Sequence, residues 1–295
     1  MRIVVAGSSG LVGTALVYEL REHEHDVVRL VRRRPRAVDE REWDPPAGRI
    51  DESALDGADA VVNLCGAGIA SRRWSHARKQ ILLNSRVEPT EVLATAVAER
   101  GIPALVNASA VGYYGDTGDR ESDENAPSGR GFLAGLCRDW EAATQRASDA
   151  GARVVRLRTG HVLSRRGGLL ATLRPLFALA LGGRLGDGLQ YMPWLHIADH
   201  VAAIRFVLEH DDVAGAVNSC SPNPVTNREF TRTLGRVLNR PAPWFVPRFA
   251  IRAAVGEDAG EILFSQRAVP GVLSARGFPF RYPVLEDALA AALRR

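Results

Sequence analysis

One segment near the start of the chain constrains the fold more than any other: Gly7-Ser8-Ser9-Gly10-Leu11-Val12-Gly13, spaced G-x-x-G-x-x-G. It follows a short apolar, β-branched run, Arg2 to Ala6, that reads as a buried parallel strand. It opens a helical pattern that continues from about Leu11 to His23. In such a strand–turn–helix unit one glycine permits a tight turn, one lets backbone approach a pyrophosphate, and one lets helix and strand pack closely. The helix N-terminus then offers free N–H groups and a positive dipole end to phosphates. Gly7, Ser9, Gly10, Leu11, Val12 and Gly13 are therefore candidate dinucleotide contacts. A Gly-rich turn without a ligand is the bland alternative.

The same rhythm continues. Strands read at Val27–Val31, Ala60–Leu64, Ala104–Ala108 and Arg153–Leu157, with helices at Ser75–Arg100 (kinked or broken at Pro89) and Gly131–Ala150. Alternating strands and helices mean βαβ units, a parallel sheet, and helices stacked on both faces by right-handed crossovers. After Gly160 the pattern changes to an apolar helical stretch at Leu169–Leu181, a Gly-rich turn at 182–188, strand-like pieces at Trp194–Ile197 and Ala216–Cys220, and helices at Asp199–Glu209, Asn227–Leu238 and Leu285–Leu293. The expected division is residues 1–160 as the nucleotide-binding domain, its sheet completed by parts of 190–220, with 161–295 mainly a smaller, interleaved substrate lobe. A chain of 295 residues has room for both.

Charge and cysteine usage narrow the partners. Lys and Arg total 38 against 34 Asp and Glu, a net charge of +4 without a dedicated basic tail, so no nucleic-acid partner is expected. Cys65, Cys137 and Cys220 are odd in number and far apart, which argues against a disulfide framework and a zinc site. His23 and His25 lack a third ligand nearby, so no metal is read. The opening MRIVVAG has no charged n-region and no cleavage signal, and no apolar run approaches the roughly 20 residues of a membrane span. A cytoplasmic location away from membranes is expected.

The end of the second strand selects the nucleotide. An Asp or Glu there would bind ribose hydroxyls; the chain instead reads Val31-Arg32-Arg33-Arg34. Planar guanidinium forks suit a 2′-phosphate, which favours NADP over NAD, with Arg32 and Arg33 as the contacts. A solvated loop in an arginine-rich chain is the alternative.

Together with the glycine pattern, the runs Val61-Val62-Asn63-Leu64-Cys65-Gly66-Ala67, Ala108-Ser109-Ala110-Val111-Gly112-Tyr113-Tyr114-Gly115 and Met192-Pro193-Trp194-Leu195-His196-Ile197-Ala198-Asp199 resemble extended short-chain dehydrogenases/reductases of the sugar-nucleotide epimerase/dehydratase type. The chain is more similar still to an atypical branch labelled epimerase family proteins. The marks of that branch are Arg73-Trp74, Ser85-Arg86-Val87, the GYYG run, Phe132-Leu133-Ala134 with Cys137 and Trp140-Glu141, Leu157-Arg158-Thr159-Gly160 with Val162-Leu163, and a C-terminal segment of unassigned role over Pro270–Leu293. This resemblance covers nearly the whole chain. It implies a Rossmann-type doubly wound sheet, NADP (NADPH) as cofactor, a small-molecule substrate such as a nucleotide sugar, and a homodimer. It further implies cofactor contacts at Leu64, Cys65, Gly66, Arg86 and, through a main-chain N–H, Val162.

The departure from mainstream relatives concerns catalysis. Their acid/base pair is Tyr-x-x-x-Lys, in which the lysine lowers the tyrosine pKa. None of the five tyrosines here has Lys four residues on, and the only lysine is Lys79. The aligned segment gives Leu133 for Tyr and Cys137 for Lys, while the upstream serine is kept as Ser109 within about one residue. Arg86 stands where most relatives have Asn. Ser109, Tyr113 and Cys137 are thus the catalytic candidates. Cys137 reads as a proton donor or nucleophile activated by Arg86, or as a small buried apolar residue. Lys79, Tyr114, Trp194 and His196 are the substrate candidates. Lys79 reads alternatively as a solvated helix residue and His196 as a structural histidine. Of Tyr113 and Tyr114, one should present its hydroxyl to a pocket and the other pack in the core. Two functions remain open: an NADP-dependent oxidoreductase or epimerase acting on a hydroxyl or carbonyl group, and a non-catalytic NADP(H)-binding sensor or scaffold.

Overall fold

The computed structural model describes residues 1–295 except 70–72, 248, 251–259, 262 and 295. The first half alternates as its sequence does. β1 (Arg2–Ala6), α1 (Leu11–Glu22), β2 (Asp26–Val31), β3 (Glu40–Asp44), β4 (Arg49–Ile50), β5 (Ala60–Asn63), α2 (His76–Arg100) and β6 (Ala104–Ala110) lead into a 3-10 turn at Val111–Tyr114. Then follow β7 (Glu121–Ser122), α3 (Phe132–Ala142), α4 (Gln145–Asp149) and β8 (Arg153–Thr159). The second half contains β9 (His161–Leu163), α5 (Gly168–Ala178), β10 (Gly183–Leu185), β11 (Tyr191–Met192), β12 (Trp194–His196), α6 (Ile197–Glu209) and β13 (Gly215–Ser219). It closes with β14 (Val225–Thr226), α7 (Asn227–Val237), β15 (Trp244–Val246), β16 (Arg267–Ala268), α8 (Gly271–Ala275) and α9 (Leu285–Leu293).

Eight strands form one sheet in the order β13-β8-β6-β5-β1-β2-β3-β4, parallel throughout except for β4 at the edge. The chain runs outward from β1 through β2 to β4, then returns to β1's other side at β5. This reversal makes the C-terminal ends of β1 and β5 the topological switch point, where open α/β sheets bind ligands. Strand alternation sorts the core. Ile3 and Val5 pack with Leu16, Leu20, Ile204 and Val207 of α1 and α6 on one face. Val4 and Ala6 pack with Leu93, Ala94 and Val97 of α2 on the other. A second core unites Leu170, Trp194, Phe230 and Leu289 from the later elements.

Three details differ from the expected elements. Pro89 lies within one continuous α2. An interior proline costs about 3 kcal/mol, yet the helix buries Leu93 and Val97 on the sheet and Leu82 against α3, and Thr90 Oγ1 donates to the Arg86 carbonyl at 2.7 Å across the same turn. The expected helix 131–150 is divided at Ala143–Thr144, where the Thr144 hydroxyl takes the Glu141 carbonyl at 2.7 Å. Finally, β3 and β4 extend the sheet edge through Glu40–Ile50, a polar stretch with no strand-like alternation to announce it.

Candidate active site

The glycine loop bridges β1 and α1. Gly7 has φ +79°, and a Cβ there would lie 2.8 Å from the Leu64 backbone at the end of β5. A Cβ on Gly13 would come within 2.2 Å of the Gly7 carbonyl oxygen. Only glycine at both positions lets loop, β5 and helix close on one another. Gly10 is the N-cap and supplies no side-chain cap. The leading N–H groups of α1, including those of Leu11 and Val12, therefore have no intrahelical acceptor and face outward beside Ser9. Leu64, Cys65 and Gly66 continue β5 along the same rim, with Leu64 N–H donating to the Ala6 carbonyl at 3.0 Å and Cys65 N–H to Asn63 Oδ1 at 3.1 Å. Burial pushes the Cys65 thiol up to about 12, against the opposing charge of Arg32. That thiol is therefore neutral.

At the end of β2 the two arginines part company. Arg32 is exposed. Arg33 instead clamps the Glu40 carboxylate with both Nη atoms, at 2.8 and 2.7 Å, while Arg36 N–H donates to the same carboxylate at 2.7 Å. Arg33 holds Glu40 down to about 2. Glu40 is 3 % exposed, covered by the arginine side chains around it. Sequence reading found no acid at this strand end because Glu40 comes from the neighbouring strand. The Arg33 fork is thus engaged by a carboxylate at this strand end.

On the other side of the switch point, Arg86 of α2 is buried under the β5 turn. Its Nη atoms donate to the Leu82 and Ala67 carbonyls at 2.9 Å each, and its guanidinium lies 5.1 Å from the Trp140 ring. Gly66 eases this approach, since a Cβ would sit tight at 3.1 Å from Arg86 Cζ. Burial lowers the guanidinium to about 10, still charged at neutral pH. Arg86 thus supports the Gly66–Ala67 turn rather than reaching outward. Val162 is half-buried in β9, opposite Leu195 of β12. Lys79 lies over the Phe132 ring at 5.1 Å, near the start of α3.

The catalytic candidates separate sharply. Ser109 is buried and its hydroxyl donates to Glu141 Oε1 at 2.7 Å. Its role as a free proton carrier is corrected: the strand alternation turns it towards Glu141. The Cys137 thiol is pushed up to about 12 by burial, with Glu141 adding to the effect, and it donates to the Ala110 carbonyl at 3.6 Å. Activation by Arg86 does not overcome this, so Cys137 is a neutral buried thiol and the thiolate expectation is corrected. Tyr114 is 2 % exposed, donates to Asn218 Oδ1 at 2.7 Å and accepts from Arg158 Nη1 at 3.1 Å. It is the core tyrosine of the pair and cannot reach a substrate. Tyr113 is the other: half-buried, its ring edge-on to Tyr114 at 5.5 Å, with the Arg158 guanidinium 3.5 Å above it. Among the described residues its hydroxyl has no hydrogen-bond partner.

Two substrate candidates are also corrected. Trp194 is fully buried and its indole N–H donates to the Asn223 carbonyl at 3.1 Å. His196 caps α6, its Nδ1 accepting from Ala198 N–H at 3.1 Å, and packs on Tyr282 at 4.3 Å. Both residues join the lobe core because β12 runs beneath the surface.

Sequence reasoning missed the residues that organise this side. Arg158 of β8 forms a paired bond with Glu141 of α3, Nε–Oε1 2.8 Å and Nη2–Oε2 2.9 Å. Burial alone would lower its pKa, yet Glu141 and Tyr114 raise it overall and keep it charged. The available signal was Arg158 itself, directly after Leu157 in a strand read as buried, because a buried guanidinium demands a carboxylate. Glu261 was also missed. Its carboxylate accepts the N–H groups of Phe132 and Leu133 at 2.6 and 2.8 Å, capping α3 from the C-terminal segment.

A Gly-rich loop, an uncapped helix and a switch point define a dinucleotide-binding α/β protein. The chain belongs to the NAD dependent epimerase/dehydratase family, which its residues 3–219 match; residues 246–292 match a domain of unknown function. It is 52 % identical over 294 residues to an epimerase family protein of Mycobacterium tuberculosis, covering 99 % of this chain and 98 % of the relative. The crystal structure of the human epimerase family protein SDR39U1 (isoform 2) with NADPH superposes with a TM-score of 0.92 at 34 % identity, over 99 % of both chains. The Thermus thermophilus UDP-glucose 4-epimerase complex with NAD shares the fold, with a TM-score of 0.79 at 19 % identity over 99 % of this chain and 98 % of that one.

Proposed function

We propose that the chain binds NADPH and acts as an NADP-dependent oxidoreductase or epimerase-like enzyme on a hydroxyl or carbonyl substrate, with nucleotide sugars among the candidates. The observation that carries this reading is the glycine cradle at an uncapped helix start, beside Arg32, an exposed guanidinium at the end of β2. The human relative solved with NADPH supports it. In this reading Gly7, Ser9, Gly10, Leu11, Val12 and Gly13 hold the pyrophosphate, Arg32 the 2′-phosphate, and Leu64, Cys65, Gly66 and Val162 the rim. Residues 1–160 form the NADP domain and 161–295 mainly the substrate lobe. Among the described residues no helix is long and apolar enough to cross a membrane, and no cluster of His, Cys, Asp or Glu is placed to hold a metal. In this reading the protein acts in the cytoplasm and pairs as a homodimer.

The chemistry divides between cofactor and protein. Bound NADPH supplies a hydride to a carbonyl carbon. Tyr113 holds a proton at Oη for the carbonyl oxygen, so the products are the alcohol and NADP⁺, and water reprotonates the phenolate. Ser109 and Cys137 keep their protons within the packed interior.

NADPH fluorescence titration tests the cofactor. Arg32→Asp should weaken NADPH by about 10- to 100-fold, as expected for losing a charge-assisted phosphate contact, and NADH far less. Equal losses for both would sink the 2′-phosphate assignment. A screen for NADPH oxidation over carbonyl substrates tests the reaction, with Tyr113→Phe losing turnover but not NADPH. The engaged Ser109 hydroxyl and Cys137 thiol favour one second reading, a non-catalytic NADP(H) sensor or scaffold. Firm binding without turnover on any substrate would select it.

A further inference from the structure

We propose that the surface formed by the end of α5 and the β10–β15 ribbon docks on an anionic lipid membrane, which it contacts from the cytoplasmic side without crossing it. This is independent of the reading of the reaction. α5 is apolar almost all round, with Arg174 its one charged residue, yet it buries only Leu170 and Phe177. A helix of that composition is ordinarily enclosed. Here Leu176, Leu179 and Leu181 are exposed, and the ribbon adds Trp244 and Phe245, exposed as well. The two segments form one surface. Trp244 Nε1 donates to the Ala180 carbonyl at 2.9 Å, Arg240 Nε donates to the Ala178 carbonyl at 3.2 Å, and Gly183–Leu185 pairs with Trp244–Val246.

The charge around these side chains has one sign. Residues 165–186 and 230–247 contain seven arginines and no Asp or Glu. That excess is larger than the +4 of the whole chain, so the remainder is net acidic. The acids that flank the two segments, Asp187 and Glu229, lie beyond β10 and in the first turn of α7. Among the described residues only Arg236 of the seven has a carboxylate within ion-pairing distance, Glu286 at 3.0 Å. Arg165 and Arg174 line a cavity of about 260 Å³ with Ala171, Pro175 and Ala178, so its charged walls are both guanidiniums. A lipid phosphate matches that chemistry. No basic tail announces this in the sequence, because the two segments meet only through the β10–β15 pairing.

The kind of partner follows from the apolar and basic character together. A second copy paired through the same patch would set arginines against arginines with no acid between them. Nucleic-acid bases would stack on Trp244 and Phe245 but have no use for Leu176, Leu179 and Leu181, which offer no π face. A flat protein partner would cover one face of a two-stranded ribbon, whereas the consecutive residues Trp244 and Phe245 point to opposite faces and are both open. A lipid interface accommodates all of this. Acyl chains surround an inserted apolar ribbon on both sides, while arginines lay their stems along the apolar surface and keep their heads at headgroup level. The cytoplasmic leaflet carries the negative charge that these arginines complement.

Trp244 makes this readable, because it is 58 % exposed while Trp43, Trp74, Trp140 and Trp194 are buried. The full chain is titrated with vesicles of phosphatidylcholine alone and of phosphatidylcholine mixed with phosphatidylserine. Tryptophan emission should move to shorter wavelength with the mixed vesicles only, the binding should weaken as salt is raised, and Trp244→Phe should lose the shift. Arg174→Gln/Arg240→Gln should weaken partitioning about 30-fold, the scale of two arginines at an anionic surface. Leu179→Gln/Phe245→Gln should weaken it by about tenfold or more. No shift, equal binding to both kinds of vesicle, or unchanged partitioning in a folded double variant overturns the proposal. A shift that comes with a single-stranded oligonucleotide, or with rising protein concentration, when vesicles give none also overturns it and assigns the face to nucleic acid or to a second copy. The wild-type vesicle comparison decides even if a double variant fails to fold.

Discussion

On one side of the switch point the cleft is walled by backbone; on the other it is walled by a buried side-chain network. The glycine-loop side depends on close approaches among Gly7, Gly13 and the Leu64 carbonyl, and on N–H groups that no side chain caps. The β6–β8 side depends on Ser109, Tyr114, Glu141, Arg158 and Asn218, which share hydrogen bonds in the interior. A backbone site recognises a phosphate through geometry common to many chains and tolerates exchange of the side chains around it. A network site is specified by each member, because removing one strands the others without partners.

The largest effect should come from the network. Glu141→Ala leaves the Arg158 guanidinium buried without its carboxylate, and breaking such a pair from one side costs about 3–5 kcal/mol. Ser109→Ala removes only one of that carboxylate's donors and should cost about 1 kcal/mol. Urea denaturation midpoints compare them. Equal losses would mean that the pair is not the centre of the network.

The backbone side should be less costly in stability but steeper in binding. Gly13→Ala pushes a methyl against the Gly7 carbonyl, a contact of 2.2 Å that only opening the loop can relieve. Overpacking of this kind costs on the order of 1–3 kcal/mol, which should weaken NADPH by about 10- to 100-fold. Gly10→Ala meets the same carbonyl at an ordinary 3.4 Å and has φ −74°, so its NADPH affinity should stay within about threefold of wild type. If the two substitutions behave alike, close approach is not what the glycines provide.

The contrast also explains what could be read from the sequence. Gly7 to Gly13 are neighbours in the chain, and their spacing carries the strand–turn–helix geometry locally. The parallel sheet is legible for the same reason, since each βαβ unit repeats a local pattern. Arg158 and Glu141 are 17 residues apart, and Tyr114 and Asn218 are 104 apart. Their pairing depends on the strand order β13-β8-β6, which no local spacing encodes. Ser109 was legible as a residue but not as a direction, because a one-residue change of register along a strand turns a side chain to the other face. The Arg33–Glu40 pair was illegible for a similar reason: the acid lies on β3, which carries no recognisable strand pattern. Trp194 and His196 were read from a motif that does mark β12 and the start of α6, but their side chains serve the lobe core.

A smaller effect separates structural from chemical histidines. Burial, aided by the charge of Arg281, lowers His196 to about 4, and burial lowers His200 to about 4. Above about pH 6.5, the ordinary histidine value, both are neutral whether the chain is folded or unfolded, and their contribution is fully present. As pH falls towards 4 the unfolded chain takes up protons that the folded chain refuses, so stability is lost across that window. The carboxylates of Asp39 and Glu40, lowered to about 2 by hydrogen bonds from Arg29 and Arg33, lose their contribution only below it. His196 Nδ1 accepts the Ala198 N–H, so protonation there would also break the α6 cap. His196→Asn keeps an oxygen for that N–H and removes the titration. The wild type should lose about 1–3 kcal/mol per buried histidine between pH 7.5 and 5, and the variant should lose only the share belonging to His200. Urea midpoints at pH 7.5, 6 and 5 measure it. Parallel curves for the two proteins would remove His196 from the acid response, and His196 would then act on stability only through its cap and its contact with Tyr282.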